Sequence, residues 1–334
     1  MKKTNAKPYS IVYCLCMQST IFDFPTQLKW QPMVEGGTLP VAQRYVLCGM
    51  GGSALAGDLL TACDSSIPIT THRDYGLPII SAAGLDSTLI IAASFSGNTE
   101  ETLEAYDKAR EAGLPLIAIT AGGELLSRAR RDGIPHIIFP DAIIPPRLAG
   151  GYFLKALALI TEAKGVSNEL ESLGPALDRT SLEAESRTLA ERLAGRIPLF
   201  YSSGRYAALA YFWKIMMNET AKIPAFSNTV PEHNHNELAS FGAGSLIAPF
   251  TAVILVGEDD PSRVTKRFAL LTEILPSLNV PVEKIFLTGV SPTARVIHSV
   301  LLATLTAIAL AETRGVDPSA TPVIEDFKSK LKII

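Results

Sequence analysis

Short apolar, β-branched runs alternate with longer stretches in which apolar residues recur every three or four positions. Five such runs in the first half predict strands at residues 45–48, 67–71, 89–94, 116–120 and 136–139. Amphipathic stretches between them, such as 54–62 and 100–112, predict helices. This alternation is typical of βαβ units, in which helices cover both faces of a parallel sheet. We therefore predict a doubly wound α/β domain over residues 41–150, after an N-terminal segment of residues 1–40.

A second series of the same kind occupies the second half of the chain. Residues 151–194 predict a helical connector that is broken at Gly165 and at Gly174-Pro175. Strands are then predicted at residues 197–203, 222–226, 251–257 and 284–287, alternating with helices at 206–221, 262–275 and 293–313. The order of elements echoes the first half, so residues 195–334 are predicted to form a second α/β domain with a C-terminal helix.

The overall composition is that of a folded chain without a nucleic-acid partner. Of the 334 residues, 47% are hydrophobic and 19% are charged, which is the balance of a globular protein with a sizeable core. This length exceeds the usual size of one domain and favours two. The formal net charge is -3, and no run of Lys or Arg residues is longer than the pair Arg130-Arg131, so no surface for DNA or RNA is predicted.

Cysteine usage and the apolar runs predict a reduced compartment and no membrane span. Cys14, Cys16, Cys48 and Cys63 form no CxxC pair and have no nearby histidine, so neither a zinc site nor a disulfide framework is predicted. The apolar run at residues 300–311 is about half the ~20 residues that a bilayer requires, and it predicts a buried helix. We expect a cytoplasmic protein with no metal site and no membrane partner.

The sequence GMGGSALAG at residues 49–57 directly follows a predicted strand and opens a helix. Glycines let backbone N–H groups approach an anion, and a helix N-terminus favours a negative group by roughly 0.3–2 kcal/mol. Gly51, Gly52 and Ser53 are therefore candidate phosphate-binding residues. The same loop also fits a dinucleotide fingerprint, with Asp74 near the position of a ribose-binding acid, and a purely structural turn is the third interpretation.

A second loop, SFSGNTEE at residues 94–101, follows the third predicted strand and also opens a helix. Its hydroxyl-bearing residues are Ser94, Ser96 and Thr99. Three hydroxyls around a glycine at a helix N-terminus supply several donors to one phosphate. Asn98 and Glu101 also fit a capping box, which explains these two residues but not the hydroxyls. Because loops on neighbouring strands converge at the carboxyl edge of a parallel sheet, we favour phosphate binding.

Together, GMGGSALAGD and SFSGNTEET resemble the sugar-isomerase (SIS) domain, and within it the bifunctional phosphoglucose/phosphomannose isomerase family. Further segments match that family in order and spacing: PR at 146–147 before GGY at 150–152, NETAK at 218–222, PEHNHNE at 231–237, and TP at 321–322 followed by Lys328. The resemblance covers about residues 20–334 and implies an α/β fold of two SIS-type doubly wound domains with parallel sheets flanked by helices. Residues 1–16 precede it, and Met17 is an alternative start.

An aldose–ketose isomerisation moves a carbonyl between C1 and C2. It requires a base for a carbon-bound proton, a group that opens the sugar ring and a cation that stabilises the enediolate. Glu219 follows three apolar residues at helical spacing, which predicts a desolvated carboxylate with a raised pKa. An ordinary ion pair with Lys222 is the alternative. The resemblance implies that Glu219 is the proton-transferring base.

The resemblance also implies roles for three other polar residues. His235 aligns with the family's ring-opening histidine, which in that family comes from the partner subunit, and this implies a homodimer. Lys328 matches a second ring-opening or phosphate-side cation, and Arg147 matches the cation that stabilises the enediolate. By residue type alone, His235 also fits a solvated loop histidine and Lys328 a surface lysine. Arg147 also fits an arginine that only stabilises a loop.

Thr321 marks the difference between this family and ordinary phosphoglucose isomerases. A smaller residue there is taken to leave room for rotation about C2–C3, so the resemblance implies that glucose 6-phosphate, mannose 6-phosphate and fructose 6-phosphate are interconverted without a metal or other cofactor. The alternatives are a non-catalytic sugar-phosphate sensor, an aminotransferase relative and a dinucleotide enzyme. The sensor would carry a DNA-binding domain and the aminotransferase a glutaminase domain, and we expect neither here.

Overall fold

The computed structural model describes residues 24–79, 84, 87–140, 144–176, 178–242 and 249–331. The predictions for residues 1–23, including the alternative start at Met17, lie outside the described residues. The chain divides into two compact units, which we call the N-terminal unit (Asp23–Leu177 with Val290–Val296) and the C-terminal unit (Asp178–Gly289 with Ile297–Ile334). The division into segments 1–40, 41–150, 151–194 and 195–334 stays a prediction.

The N-terminal unit is built on a five-stranded parallel sheet. Its strands are β1 (Arg44–Gly49), β2 (Ile69–His72), β3 (Thr88–Ser94), β4 (Leu116–Thr120) and β5 (His136–Ile138). They lie in the order β2-β1-β3-β4-β5, with Tyr45 of β1 paired to Ile69 and to Leu89. Every residue of β3 is buried, as expected of a central strand that is covered on both faces. The parallel α/β architecture predicted for this half is confirmed.

Helices cover both faces of this sheet. The described helices of the unit are α1 (Phe24–Lys29), α2 (Gly51–Cys63), α3 (Glu100–Glu111), α4 (Gly123–Asp132), α5 (Gly150–Ile160) and α6 (Lys164–Ala176). On one face, Tyr106 of α3 and Leu125 of α4 join Ile90 of the sheet in one buried cluster. The helix α2 packs against the sheet through Gly57, where a Cβ would lie 2.7 Å from Cδ2 of Leu47, so a larger residue would push the helix away.

The break predicted at Gly165 is wrong, because α6 begins at Lys164 and runs through that glycine. The chain turns instead between α5 and α6, where Glu162 adopts a left-handed conformation with φ of 55°. The N–H of Ala163 then donates to the carbonyl of Ala158 at 2.9 Å and closes α5. Gly165 lies in the first turn of α6, where backbone N–H groups have no intrahelical partner, so glycine does not interrupt the helix there.

The C-terminal unit contains a four-stranded parallel sheet in the order β7-β6-β8-β9. These strands are β6 (Ile197–Ser203), β7 (Phe226–Val230), β8 (Phe250–Val256) and β9 (Val282–Phe286). The helices are α7 (Arg179–Leu193), α8 (Ala207–Met216), α9 (Ser262–Ser277), α10 (Pro292–Arg314, with residues 297–314 in this unit) and α11 (Pro322–Leu331). A second parallel α/β sheet is thereby confirmed.

The strand predicted at residues 222–226 is wrong, since β7 begins only at Phe226. A π-helical turn, Met217–Ala221, extends α8, and Lys222 follows it with φ of 57°. The backbone N–H of Ile223 donates to the carbonyl of Met217 at 3.0 Å, and the carbonyl of Ile223 accepts from Nδ2 of Asn218 at 2.9 Å. Both backbone groups of Ile223 therefore bond to the preceding turn and are not available to the sheet.

Helix α10 is the one described helix that is long and apolar enough to cross a membrane. Of its most apolar stretch, 94% is buried inside the protein. Every residue from Val300 to Ala311 is buried, and Trp213 of α8 donates its indole N–H to Ser299 at 3.0 Å. The buried helix predicted from this apolar run is confirmed.

Candidate active site

The strand order of the N-terminal unit reverses between β1 and β3, because β2 lies on one side of this pair and β4 on the other. In open α/β sheets, ligands bind at such a switch point, outside the carboxyl ends of the strands. Two loops begin there: the glycine loop (residues 49–53) after β1 and the hydroxyl loop (residues 94–99) after β3. A Cβ at Gly49 would lie 2.8 Å from the carbonyl oxygen of Ala93, so glycine lets the ends of the two strands approach.

The glycine loop contacts the hydroxyl loop and the segment that carries Arg147. The backbone N–H of Phe95 donates to Oγ of Ser53 at 3.4 Å, which links the two loops directly. Gly51 has φ of 52°, a left-handed conformation that glycine adopts at little cost. A Cβ at Gly52 would lie 3.4 Å from Cα of Arg147. Arg147 is half-buried in a short 3-10 turn, Pro146–Leu148, just before α5.

Backbone donors orient the hydroxyl groups of the hydroxyl loop. The N–H of Gly97 donates to Oγ of Ser94 at 3.1 Å, and the hydroxyls of Ser94 and Thr99 lie 2.8 Å apart. The N–H of Asn98 donates to Oγ of Ser96 at 3.3 Å. A serine hydroxyl that accepts a backbone N–H retains its own O–H as a donor. Ser96 is exposed and Thr99 is partly exposed, so their O–H groups are accessible to an anion.

The capping box considered for Asn98 and Glu101 is wrong. Helix α3 begins at Glu100 with Thr99 as its N-cap, and among the described residues no side chain caps the first turn of α3 or of α2. The side chain of Asn98 instead accepts the N–H of Glu124 at 3.1 Å, at the start of α4. Two helix N-termini without side-chain caps are a favourable environment for a phosphate.

The corresponding switch point of the C-terminal unit, between β6 and β8, is filled by the protein itself. The ring of Tyr206 is fully buried, and a Cβ at Gly257 would lie 2.4 Å from it. Asp259 accepts the phenol O–H of Tyr206 at 2.7 Å and pairs with Arg205 at 3.0 Å. Asp260 accepts the N–H of Gly257 at 2.7 Å, and burial raises the pKa of its carboxyl group. The carboxylate of Asp260 therefore already accepts a backbone N–H at this switch point, and that of Asp259 already pairs with a cation there.

A cavity of about 540 Å³ in the C-terminal unit brings Glu219 and Thr321 together. It is lined by Asn218, Glu219, Lys222, Ile223, Pro224, Ala320, Thr321, Pro322, Val323 and Ile324. Two residues about a hundred positions apart, predicted to serve as base and as epimer-specific residue, thus share one cavity. Thr321 precedes α11, and its hydroxyl lies 3.4 Å from a carboxylate oxygen of Glu325.

The position of Glu219 differs from the one its spacing predicted. The regular α-helix ends at Met216, and Glu219 lies in the wider π-helical turn, where the three-to-four spacing of α8 does not continue. Its side chain is half-buried at the cavity wall rather than on a fully apolar helical face. Lys222 donates to the backbone carbonyl oxygen of Glu219, a contact that the ion-pair alternative did not include.

His235 is exposed, whereas its neighbours are held in place. Glu237 accepts the phenol O–H of Tyr201 at 2.6 Å and Nδ2 of Asn228 at 2.8 Å. His233 is fully buried with its ring centroid 4.2 Å from that of Tyr201, and burial lowers the pKa of His233. The segment therefore presents one exposed histidine between residues that are held by hydrogen bonds and by ring packing.

Lys328 lies on α11, whose described residues are all exposed. One face of this helix carries Val323, Ile324 and Phe327, which are 80%, 42% and 64% exposed. Neither Lys328 nor His235 lines the cavity that contains Glu219. Among the described residues, no group of three or more His, Cys, Asp or Glu side chains is arranged to hold a metal ion.

Sequence reasoning did not predict the contacts of two residues that shape these sites. Asn98 joins the hydroxyl loop to α4, and Lys222 bonds to two backbone carbonyls at the cavity. Both lie within the motifs that carry the resemblance, and Lys222 was considered only as a partner for Glu219. Their bonds depend on loop conformations that residue spacing does not reveal.

These two sheets, with a candidate phosphate site at a switch point, define a two-domain α/β protein of the SIS class. Residues 182–331 match the model of the bacterial phospho-glucose isomerase C-terminal SIS domain. The solved structure of glucosamine-6-phosphate deaminase from Thermotoga maritima shares the fold, with a TM-score of 0.66 and 15% identity, covering 92% of this chain and 97% of that one.

Two relatives are similar along most of their length. The bifunctional phosphoglucose/phosphomannose isomerase of Caldicellulosiruptor bescii is 33% identical over 86% of this chain and 89% of its own. The enzyme of that name from Aquifex aeolicus is 31% identical, with coverages of 92% and 96%. The chain therefore belongs to the bifunctional phosphoglucose/phosphomannose isomerase family.

Proposed function

We propose that the protein interconverts glucose 6-phosphate, fructose 6-phosphate and mannose 6-phosphate by proton transfer through an enediolate. The observation that carries the proposal is the cavity that holds both Glu219 and Thr321, in a chain of this family. The two aldoses differ only in configuration at C2. A base that reaches C2, beside a small residue that leaves room for rotation about C2–C3, is what an enzyme for both sugars requires.

The phosphate group is assigned to the switch point of the N-terminal unit. The backbone donors are those of Gly51 and Gly52, and the hydroxyl donors are those of Ser53, Ser94, Ser96 and Thr99. The two loops are joined by the bond between Phe95 and Ser53, so their donors have a fixed relative geometry. Such preorganisation reduces the entropy lost when a doubly charged group binds.

The proposed reaction conserves atoms and needs no redox partner. His235 and Lys328 open the hemiacetal ring by moving a proton between the ring oxygen and the C1 hydroxyl. The carboxylate of Glu219 removes the proton from C2 of the aldose, and the electron pair left on carbon forms the enediolate. Arg147 stabilises the negative charge on oxygen. Glu219 then returns the proton to C1, while the C2 hydroxyl loses its proton as it becomes the carbonyl and O1 gains one, and the ketose results. No cofactor takes part in this scheme.

We also propose a homodimer in which His235 acts in the site of the partner subunit. The support is that His235 is exposed while Glu237 and His233 anchor the segment around it. A histidine that acts within its own chain is expected to face a cavity of that chain, and His235 does not line the cavity of Glu219. Sharing of sites by two copies is common in symmetric dimers.

A cytoplasmic location is proposed for an enzyme of central sugar-phosphate metabolism. Cys48 and Cys63 are buried free thiols that form no disulfide, which suits a reducing compartment. Cell fractionation with an antibody against the protein would test this location, and recovery in the secreted or membrane fraction would contradict it.

The test of the reaction uses purified protein with each aldose 6-phosphate separately, in the presence of EDTA, and follows fructose 6-phosphate. We expect turnover of both sugars, lost by at least about 100-fold in Glu219→Gln because carbon acids need a positioned base. Glu273→Gln, on the exposed surface of α9, is the matched control and retains activity. Tight binding of sugar phosphates without turnover would contradict the proposal and favour a sensor.

A further inference from the structure

Lys222 joins the two walls of the cavity that holds Glu219 and Thr321. Its ammonium group donates to the backbone carbonyl oxygen of Glu219, and it donates to the carbonyl oxygen of Ala320 at 2.5 Å. Glu219 lies in the π-helical turn after α8, and Ala320 directly precedes Thr321. One side chain therefore links the segment of the proposed base to the segment of the proposed epimer-specific residue.

The backbone of Lys222 adopts a conformation that a lysine rarely takes. Its φ and ψ are 57° and 39°, and this left-handed region is unfavourable for a residue with a Cβ. The carbonyl of Lys222 accepts from Arg314 of α10 at 3.4 Å, and Asn218 donates to the carbonyl of the next residue, Ile223, at 2.9 Å. Glycine or asparagine would fit this conformation better, so the turn alone does not explain a lysine.

We infer that Lys222 is a positioning residue that sets the separation between Glu219 and Thr321, and thereby the relative rates for the two epimers. The inference rests on the proposed function, in which Glu219 moves the proton and Thr321 gives room for rotation about C2–C3. Lys222 acts through the backbone carbonyls of Glu219 and Ala320 and is not itself assigned contact with the sugar. Its link holds the two walls at a constant distance while the intermediate rotates.

The expected loss of activity follows from how strongly the rate of proton transfer depends on the position of the base. A displacement of about 1 Å in a catalytic group costs on the order of 100-fold in rate. We expect the cavity wall to move by an amount of this order when the link is lost, because the bond to Ala320 is one that ties together segments 98 positions apart in the sequence. The epimer that depends more on the room beside Thr321 is affected more, so the ratio of the two activities must change as well.

The decisive variant is Lys222→Asn. Asparagine tolerates the left-handed conformation, so the turn is retained, but its side chain is too short to reach the carbonyl of Ala320. Lys222→Arg keeps a long cationic donor and serves as the conservative variant. Lys266→Asn, which removes an exposed lysine from α9, is the control for loss of one positive charge. Measurements are kcat and KM for both aldoses, thermal unfolding, and amide hydrogen exchange across residues 317–324.

For Lys222→Asn we expect kcat to fall by about 10- to 100-fold while KM changes less than about threefold. We also expect the ratio of kcat/KM for the two sugars to change by about threefold or more, and exchange across residues 317–324 to accelerate. Lys222→Arg should recover part of the activity, and Lys266→Asn should match the wild type. The unfolding temperature should change by no more than about 4 °C.

Two results would overturn the inference. One is a Lys222→Asn enzyme with wild-type kinetics and wild-type exchange, which would mean that the lysine only completes a turn. The other is an equal loss of activity on both sugars with unchanged exchange, which would indicate a smaller active fraction. A wild type that turns over neither sugar would contradict the proposed function instead, and the exchange rates would then decide separately whether Lys222 links the two segments.

Discussion

Replacing Gly97 by alanine tests whether the hydroxyl loop binds the phosphate group. Gly97 has φ of 69°, and a Cβ there would lie 1.9 Å from the carbonyl oxygen of Gly122 and 2.9 Å from Oγ1 of Thr120. Contacts of a Cβ under 3.0 Å essentially never occur, so the loop or its neighbour must move by about 1 Å. That movement would disturb two hydrogen bonds of Gly97. Its N–H donates to Oγ of Ser94, and its carbonyl accepts the N–H of Leu125.

The matched control is Gly113→Ala. Gly113 follows α3 with φ of 64°, and a Cβ at this position has nothing within 4 Å. Both substitutions place an alanine in the left-handed region, which destabilises the fold by about 1–2 kcal/mol. Only Gly97→Ala adds a steric clash. Comparison of the two therefore separates the strain common to any alanine in this conformation from displacement of the hydroxyl loop.

We expect KM for each sugar phosphate to rise by about 10- to 100-fold in Gly97→Ala and to stay within about twofold of the wild type in Gly113→Ala. Loss of one charge-assisted hydrogen bond, at about 1.5–3 kcal/mol, accounts for a change of this size. Calorimetric titration with each sugar phosphate and urea unfolding are the assays. If both variants bind equally well, the hydroxyl loop does not hold the phosphate and the assignment of this site is refuted.

Two further predictions concern the proposed dimer and the stability in acid. Inactive Glu219→Gln and His235→Ala subunits can be unfolded and refolded together to form mixed dimers. Activity should be restored, because a mixed dimer with shared sites regains one intact site. No restoration would place both residues in one chain. The hydrogen bond from Lys155 lowers the pKa of Glu171, so this pair stabilises the fold above pH 4.5 and the stabilisation is lost as the pH falls below that ordinary value. We expect the unfolding temperature to fall more steeply with acid in the wild type than in Glu171→Gln, and equal slopes would contradict this account.

Local sequence patterns were sufficient to predict the features that depend on a single strand or a single loop. The buried run of β3 is apolar because both sheet faces are covered, and that pattern is visible without the structure. The glycine and hydroxyl loops follow β1 and β3 directly, so their convergence at one edge follows from parallel topology alone. The roles of the candidate catalytic residues came from the resemblance, since residue type alone also allowed ordinary structural roles for Glu219, His235 and Lys328.

Prediction from the sequence failed where a backbone or side-chain group forms a hydrogen bond with a partner other than the expected one. The residues around Ile223 have strand-like composition, but its N–H and carbonyl bond to the π-helical turn, and β7 starts three residues later. Asn98 has the spacing of a capping residue, yet its side chain bonds to Glu124 of another helix. In the first case bonds to residues five and six positions away replace the sheet ladder, and in the second a bond to another helix replaces the cap.

The sequence by itself determined the class of fold, the alternation of strands and helices, and the two loops that carry glycines and hydroxyls, because these depend on periodicity and on residues within one turn of each other. Only the tertiary structure decided that Glu219 and Thr321 share a cavity and that Lys222 bonds to both of its walls. It also decided that the second switch point is filled by Tyr206 and Asp259. The physical reason is that such contacts join residues about 50 to 100 positions apart, and their geometry is set by the packing of whole helices and strands rather than by any local preference.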